Sequence, residues 1–312
     1  MIYTVTLNPA LDKTVQIPSF RLGEVNRISA MRTDPGGKGI NVSKVLRELG
    51  EPSVAAAILG GAAGQKIESA LRALGIEGMY LFTGHETRTN LKIVDPTLHT
   101  NTDVNEPGAP ADEAVLSKLL SQLTGRLRPG DLVVLSGKAP AGAPDTLYRD
   151  WILACRAAGA AVYLDAEGEL LRQGVTAGPA LIKPNQAELS GVMGRPLTTE
   201  DETIRAAQEL LAQGVGCVAV TKGAGGALLC WEDCVLRCES PRVPVGSTVG
   251  AGDSVVAALA YAASARQRQL SREDTARLAM ATGAANVMCS GTQAARLGDI
   301  EQLLPQVRIT RL

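Results

Sequence analysis

LVVLSGKAPAGAPDTLYRDWILACRAAG, residues 132–159, decides the fold class, because it sets an apolar, β-branched run ahead of a segment with helical period. LVVL (132–135) reads as a strand buried on both faces, and DTLYRDWILACRAAG (145–159) spaces its apolar residues as an amphipathic helix does. The alternation recurs in ETIRAAQELLAQG (202–214) and VAVT (218–221), and the chain opens at once on a strand, MIYTVTL. Buried parallel strands read as continuous apolar runs, and right-handed crossovers put helices on both faces of their sheet. The expected fold class is therefore α/β, with a mainly parallel sheet between two layers of helix.

Two stretches break this rhythm. Residues 11–33 and 88–105 alternate polar and apolar residues without helical period, as short half-exposed strands do. They are expected to form a small β lid on a single domain spanning 1–312, and an exposed sheet of this kind invites pairing with a second subunit. Ordinary surface hairpins are the alternative. EPGAPAD (106–112) reads as a loop, and no internal repeat or low-complexity tract is found.

Composition narrows the function classes. With 312 residues, 45% of them hydrophobic, the chain can bury a large core, and its formal net charge of −1 gives no general field for nucleic acid or anionic membrane. No apolar run reaches the roughly 20 residues needed to cross a bilayer, and no signal-peptide pattern opens the chain, so a cytoplasmic location is expected. Six scattered cysteines suit a reducing compartment better than a disulfide framework. Cys230, Cys234 and Cys238 fall in ALLCWEDCVLRCES, which reads as a hairpin rather than a zinc site, since His85 and His99 are distant in sequence.

Four elements could carry chemistry. In STVGAGDSVVAALAYAASA (247–265) a glycine-rich turn opens into a small-residue helix, so unpaired amides and the helix dipole favour an anion there. Asp253 falls in the first turn beside Gly250, Ala251 and Gly252, where a carboxylate could take a hydroxyl proton; a plain helix cap is the alternative. DPGGKGINVSKVLRELG (34–50) is a second such turn, with Lys38 as a cation and Asn41 as donor and acceptor for hydroxyls, but without P-loop spacing. LIKPNQAELSG (181–191) puts Asn185 and Glu188 on one helix face, suited either to Mg²⁺-bound waters or to a capping box. In TRTNLKI (87–93), Arg88 offers a planar guanidinium on an expected lid strand, while TKGAGGALL (221–229) and ANVMCSGTQ (285–293) could border a nucleotide.

Taken together and in order, TLNPALD, GGKGINVSKVL, TRTNLKI, SGKAPAG (136–142), KPNQAEL and STVGAGDS resemble the PfkB family of carbohydrate kinases over essentially the whole chain. The resemblance implies the ribokinase-like three-layer αβα sandwich with a β-sheet lid, ATP and Mg²⁺ as cofactors, a small sugar phosphate as substrate and a homodimer formed through the lid. GGKGINVSKVLRELG and HTNTDVNEPG (99–108) favour phosphorylation of fructose 1-phosphate to fructose 1,6-bisphosphate over tagatose 6-phosphate or fructose 6-phosphate. A catalytically silent sugar-phosphate sensor on the same scaffold is the alternative from another class.

The resemblance further implies that Asp253 is the general base and that the amides of Gly250, Ala251 and Gly252 form an anion hole. Asp12, Gly36, Gly37 and Asn41 would contact sugar hydroxyls, while Lys38, Arg88 and Arg27 would face the existing phosphate. Lys183, Asn185 and Glu188 would serve the nucleotide phosphates, the last two holding Mg²⁺ through water, and Thr221, Gly223 and Asn286 would line the ATP pocket. Two lysines depart from the family pattern: Lys138, where a serine is common, which would add a phosphate contact, and Lys222, where a leucine is frequent.

Overall fold

The structure is a computed structural model describing residues 1–110, 112–264 and 270–312. Ala111, within the expected loop 106–112, and Ala265, which ends the stretch 247–265, lie outside the described residues. The first half of the chain runs β1 (Ile2–Thr6), β2 (Ala10–Gln16), β3 (Ala30–Gly36), α1 (Lys38–Glu48), β4 (Ser53–Gly60), α2 (Gly61–Ala73), β5 (Glu77–Thr83), β6 (Thr89–Asp95), β7 (Thr100–Val104), α3 (Glu113–Arg126), β8 (Leu132–Ser136) and α4 (Leu147–Ala157). There follow β9 (Ala161–Asp165), α5 (Gly168–Val175), β10 (Leu181–Ile182), α6 (Gln186–Met193), α7 (Glu200–Ala212), β11 (Val218–Thr221), β12 (Ala227–Trp231) and β13 (Cys234–Glu239). The chain closes with α8 (Ala251–Ser264), α9 (Arg272–Val287), α10 (Leu297–Leu303) and β14 (Arg308–Arg311).

Ten strands form the main sheet, in the order β14-β13-β12-β11-β10-β9-β8-β1-β4-β5. Neighbours from β11 to β5 are parallel, and β12, β13 and β14 add an antiparallel edge. The period-two alternation of strand side chains divides the core between two faces. Tyr3, Val5, Val133, Leu135, Val162 and Leu164 pack with Leu119 of α3, Tyr148 and Trp151 of α4 and Leu210 of α7. Ile2, Leu132 and Val134 pack on the other face with Val42 and Leu46 of α1 and Val256 and Ala260 of α8. The fold is the expected ribokinase-like α/β class, helices on both sides of a largely parallel sheet. The three clustered cysteines are buried in the β12–β13 hairpin, and no helix among the described residues is long and apolar enough to cross a membrane.

A separate four-stranded sheet has the order β3-β2-β6-β7, with β2 antiparallel to β3 and parallel to β6. β6 and β7 fall within the expected stretch 88–105, whereas β2 begins one residue before the stretch 11–33, β3 runs past it to Gly36, and residues 17–29 are not strand. Pro18 follows β2, and the Asp95 carboxylate then turns the chain by accepting the amides of Ser19 and Phe20 at 3.0 and 2.7 Å. Arg88 stands one residue before β6 rather than on it.

Parallel sheets collect functional groups beyond the carboxyl ends of their strands. Here Thr6, Ser136, Asp165 and Ile182 end β1, β8, β9 and β10 on one rim. Two glycines test the packing of the flanking elements. Gly226 has φ +84°, and a Cβ there would overlap the carbonyl of Cys238, whereas Gly191 of α6 faces open space. Gly226→Ala is expected to lose more than about 1 kcal/mol in urea unfolding, and Gly191→Ala to gain roughly 0.5–1 kcal/mol. Equal stabilities for the two variants would contradict this packing.

Candidate active site

The rim gathers its charged groups from four elements. Asp165 ends β9 with a carboxylate only 1% exposed, and its Oδ1 forms an ion pair with Lys183 Nζ, one residue beyond β10, at 3.3 Å. The same oxygen meets Lys38 Nζ, from the first residue of α1, at 3.4 Å. Asp253, buried on the first turn of α8, receives a hydrogen bond from Asn41 Nδ2 to its Oδ2 at 2.8 Å. Asn41 and Lys38 lie three residues apart on α1, so one helix face serves both carboxylates.

Electrostatics follow from this crowding. Burial raises the Asp253 pKa, the neighbouring Asp165 charge raises it further, and Asn41, Lys38 and Lys183 pull it back, with the outcome at about 6. A carboxyl group poised there is ionised at neutral pH yet basic enough to accept a proton. For Lys38, burial opposes the charge, but Asp165, Asp253 and Glu188 outweigh it and raise its pKa.

The start of α8 supplies an anion cradle. Ala251 N reaches Thr248 O at only 3.4 Å and Ser254 N bonds Gly250 O at 2.8 Å. The intervening amides of Gly252 and Asp253 have no acceptor among the described residues. Gly250 has φ +86°, and a Cβ on Gly252 would sit 3.3 Å from Lys183 Nζ, so a side chain there would fill the space between the turn and the ammonium. Asn286 of α9 braces the turn by donating to Val249 O at 2.9 Å.

The other sequence-predicted residues fall as follows. Asp12 of β2 is buried and accepts from Asn90 Nδ2 at 2.9 Å, while Gly36 and Gly37 form the turn between β3 and α1. Arg88 donates to the carbonyls of Pro9 at 3.3 Å, Asn8 at 3.1 Å and Glu106 at 3.0 Å, and to Asn90 Oδ1 at 3.5 Å. A guanidinium has five N–H donors, so a bidentate grip on phosphate would require Arg88 to exchange one of these bonds. Arg27 is exposed on the 17–29 segment, and Lys138 pairs with Glu167 at 2.9 Å in an exposed bridge. Asn185 and Glu188 form the reciprocal capping box of α6, each side chain bonding the other's amide at 2.8 Å. Thr221 ends β11 beside Asn185, and Gly223 is exposed just beyond it. Sequence reasoning passed over Asp165 and Asn90. An acid directly after the apolar run AVYL was the available signal for the first; the second is visible only through its strand register with Asp12.

The donor set fits a magnesium nucleotide. Asp165 Oδ2 is buried and has no hydrogen-bond partner among the described residues, and the open amides belong to the turn whose Gly252 lies beside Lys183. No group of three or more His, Cys, Asp or Glu side chains that could cage a metal occurs among the described residues. Mg²⁺ keeps several waters and takes few protein ligands when phosphates supply the rest.

Comparison with known proteins agrees with the geometry. Residues 5–297 match the pfkB family of carbohydrate kinases. The chain is 41% identical to the 1-phosphofructokinase of Rhodobacter capsulatus, over 90% of this chain and 88% of that one. It is 35% identical to the 1-phosphofructokinase of Bacillus subtilis over the full length of both. Phosphofructokinase-2 from Escherichia coli, solved in complex with substrates and products, superposes with a TM-score of 0.93 at 31% identity, covering 98% of each chain.

The raised pKa of Asp253 has a consequence for stability that needs no substrate. Between its unfolded value of 3.8 and about 6 the folded state holds the proton more tightly, so stability falls as pH rises through that window. Asp253→Asn removes the penalty of the buried charge. It is expected to melt above the wild type at pH 8, with the difference vanishing near pH 4. A calorimetric difference independent of pH would show that this carboxylate is not strained.

Proposed function

This chain belongs to the pfkB family of carbohydrate kinases, an ATP-dependent sugar kinase by that membership, and from this premise we propose that it phosphorylates the 6-hydroxyl of fructose 1-phosphate to give fructose 1,6-bisphosphate. The observation that carries the mechanism is the Asp253 carboxylate, held by Asn41 beside two open amides and two lysines at the start of α8.

Asp253 accepts the proton of the 6-hydroxyl as that oxygen attacks the γ-phosphorus of ATP and the bond to the ADP oxygen breaks. Gly250, Ala251 and Gly252 form the anion hole, where oriented amides stabilise the charge that spreads over the migrating phosphoryl oxygens. Lys183 stands over the same space and supplies a cation. Asp12, Gly36, Gly37 and Asn41 hold the sugar hydroxyls. Lys38, Arg88, Lys138 and Arg27 serve the phosphate already on the sugar, Arg27 from its own subunit or from a partner. Thr221, Gly223 and Asn286 border the nucleotide. Asn185 and Glu188 would hold Mg²⁺ through water, and the ion, when bound, would neutralise phosphate charge.

The whole chain is then one kinase domain, with the four-stranded sheet as a lid over the sugar site. Closure would exclude water from the transferring phosphoryl group. Met31 and Val104 are exposed on strands of that sheet, and Leu22, Val25 and Ile28 are exposed on the segment between β2 and β3. A second copy of the chain, pairing through this surface, would cover them and form the homodimer. A cytoplasmic location is part of this reading, supported by six free thiols and an ATP-requiring reaction.

An ADP-release assay with MgATP against fructose 1-phosphate, fructose 6-phosphate, tagatose 6-phosphate and unphosphorylated fructose tests the substrate. Fructose 1-phosphate is expected to give a kcat/KM at least about tenfold above the others, since a misplaced phosphate forfeits its cationic partners. Faster turnover of either 6-phosphate would overturn the assignment. Asp253→Asn is expected to lose about 100-fold or more in kcat while still binding both substrates. In the wild type, kcat/KM should fall with acid through about pH 6, where the base takes up its proton. Near-full activity in the asparagine variant would remove Asp253 from the chemistry.

A further inference from the structure

One buried cation has no part in the chemistry just described. Lys44 lies in the middle of α1, one turn beyond Asn41, with only 6% of its surface exposed. Its Nζ donates to Pro35 O at 3.0 Å and to Thr292 O at 2.6 Å. Pro35 leads into the Gly36–Gly37 turn of the sugar side. Thr292 follows α9, whose last residue, Val287, accepts the amides of Gly246 and Ser247 at 2.8 and 3.1 Å. Those residues open the turn that leads to Gly250 and Asp253. Arg32 spans the same two regions by bonding Asp34 at 2.7 Å and the carbonyl of Ser290 at 2.7 Å.

Burying an ammonium is a poor route to stability. Desolvation depresses the Lys44 pKa to about 8, with Asp34, Asp12 and Asp253 opposing that fall and Arg32 adding to it. Its helix neighbours Val42, Val45 and Leu46 are fully buried, and an apolar side chain would suit that setting at least as well. A buried cation bonded to backbone carbonyls from two remote segments is the pattern expected where arrangement matters more than stability. The ammonium also borders a cleft of about 700 Å³ shared with Asp34, Arg47, Met288, Ser290 and Arg296.

We propose that Lys44 is a positioning residue: its ammonium ties α1, with Lys38 and Asn41, to both the sugar-side turn at Pro35 and the nucleotide-side segment at Thr292, and so holds the two halves of the site in register. Lys44 touches no reacting atom. Its effect on turnover rests on the kinase reading above, whereas its effect on the two tied segments does not.

The test uses the full-length Lys44→Met and Lys44→Ala variants. Without substrate, hydrogen–deuterium exchange of amides in 34–37 and 288–293 is expected to quicken by tenfold or more in Lys44→Met, with other segments unchanged. With MgATP and fructose 1-phosphate, kcat should fall by tenfold or more, and KM should rise at least threefold for both substrates. Methylammonium, admitted through the cleft, is expected to restore kcat/KM of Lys44→Ala by threefold or more over sodium at equal ionic strength, and to leave the wild type unaffected. A generally loosened fold would show none of this selectivity. Unchanged exchange in both segments, kinetic constants within twofold of the wild type, or failure of both variants to fold would each overturn the proposal, the last by making Lys44 a stability element. A wild type inactive on every acceptor would instead defeat the kinase reading, and the exchange result would still decide the role of Lys44.

Discussion

A single carboxylate oxygen, Oδ1 of Asp165, organises the site. It pairs with two ammonium groups, Lys38 from the start of α1 and Lys183 from beyond β10, in a position almost sealed from solvent. The shared anion offsets the mutual repulsion of the two lysines, and removing the carboxylate would leave Asp253 as the main negative charge facing both. Asp253 inherits its character from this group: Asp165 and burial push its proton affinity up, and the two lysines limit the rise. With the hydrogen bond from Asn41, a proton acceptor near pH 6 is thus a property of five side chains rather than of one.

Small residues make that convergence possible. α8 and α9 meet through Ala258, Ala281, Ala284 and Ala285, all buried, so the two helices approach closely. The close fit fixes where α8 begins, and hence where its unpaired amides point. On the other side of α8, Val256, Ala257 and Ala260 pack with Val42, Val45 and Leu46 of α1. Asn41 reaches Asp253 across this helix pair, where α8 meets the longer side chains of α1 with Val256 and the small Ala257 and Ala260.

What the sequence disclosed and what it withheld separate along a physical line. The alternation of LVVL with a helical repeat, the glycine-rich starts of α1 and α8 and the N-x-x-E pattern at Asn185 are local signals, each set by a few consecutive residues, and the corresponding elements are present. Residues 17–29 were read as strand because they alternate in polarity, yet Pro18 and the distant Asp95 carboxylate turn the chain away. Asp165, Asn90 and Lys44 were not singled out, because their partners lie far along the chain: 127 residues separate Lys38 from Asp165, and 248 separate Lys44 from Thr292. A polar residue ending an apolar strand or interrupting an apolar helix face is the trace such long-range pairs leave, and it names no partner.

The small sheet applies the same logic to its polar face. Register places Asp12 directly opposite Asp34 on one side and Asn90 on the other, so two acids share a face of adjacent strands. Like charges so placed are unfavourable, and the structure treats them separately, Asp34 by an ion pair with Arg32 and Asp12 by a hydrogen bond from the uncharged Asn90. Asn90 in turn accepts from Arg88, which links the acid to the guanidinium one residue before β6. The result is a row of polar groups with spare hydrogen-bonding capacity on one face, while Val15, Ile17 and Ile93 form an apolar cluster of their own. A sheet serving only to cover the protein would be expected to turn its apolar face to the core and its charges to bulk water. Here Asp12 is sequestered with one oxygen committed to Asn90, an arrangement whose desolvation cost a ligand rich in hydroxyl groups would offset by supplying the remaining donors.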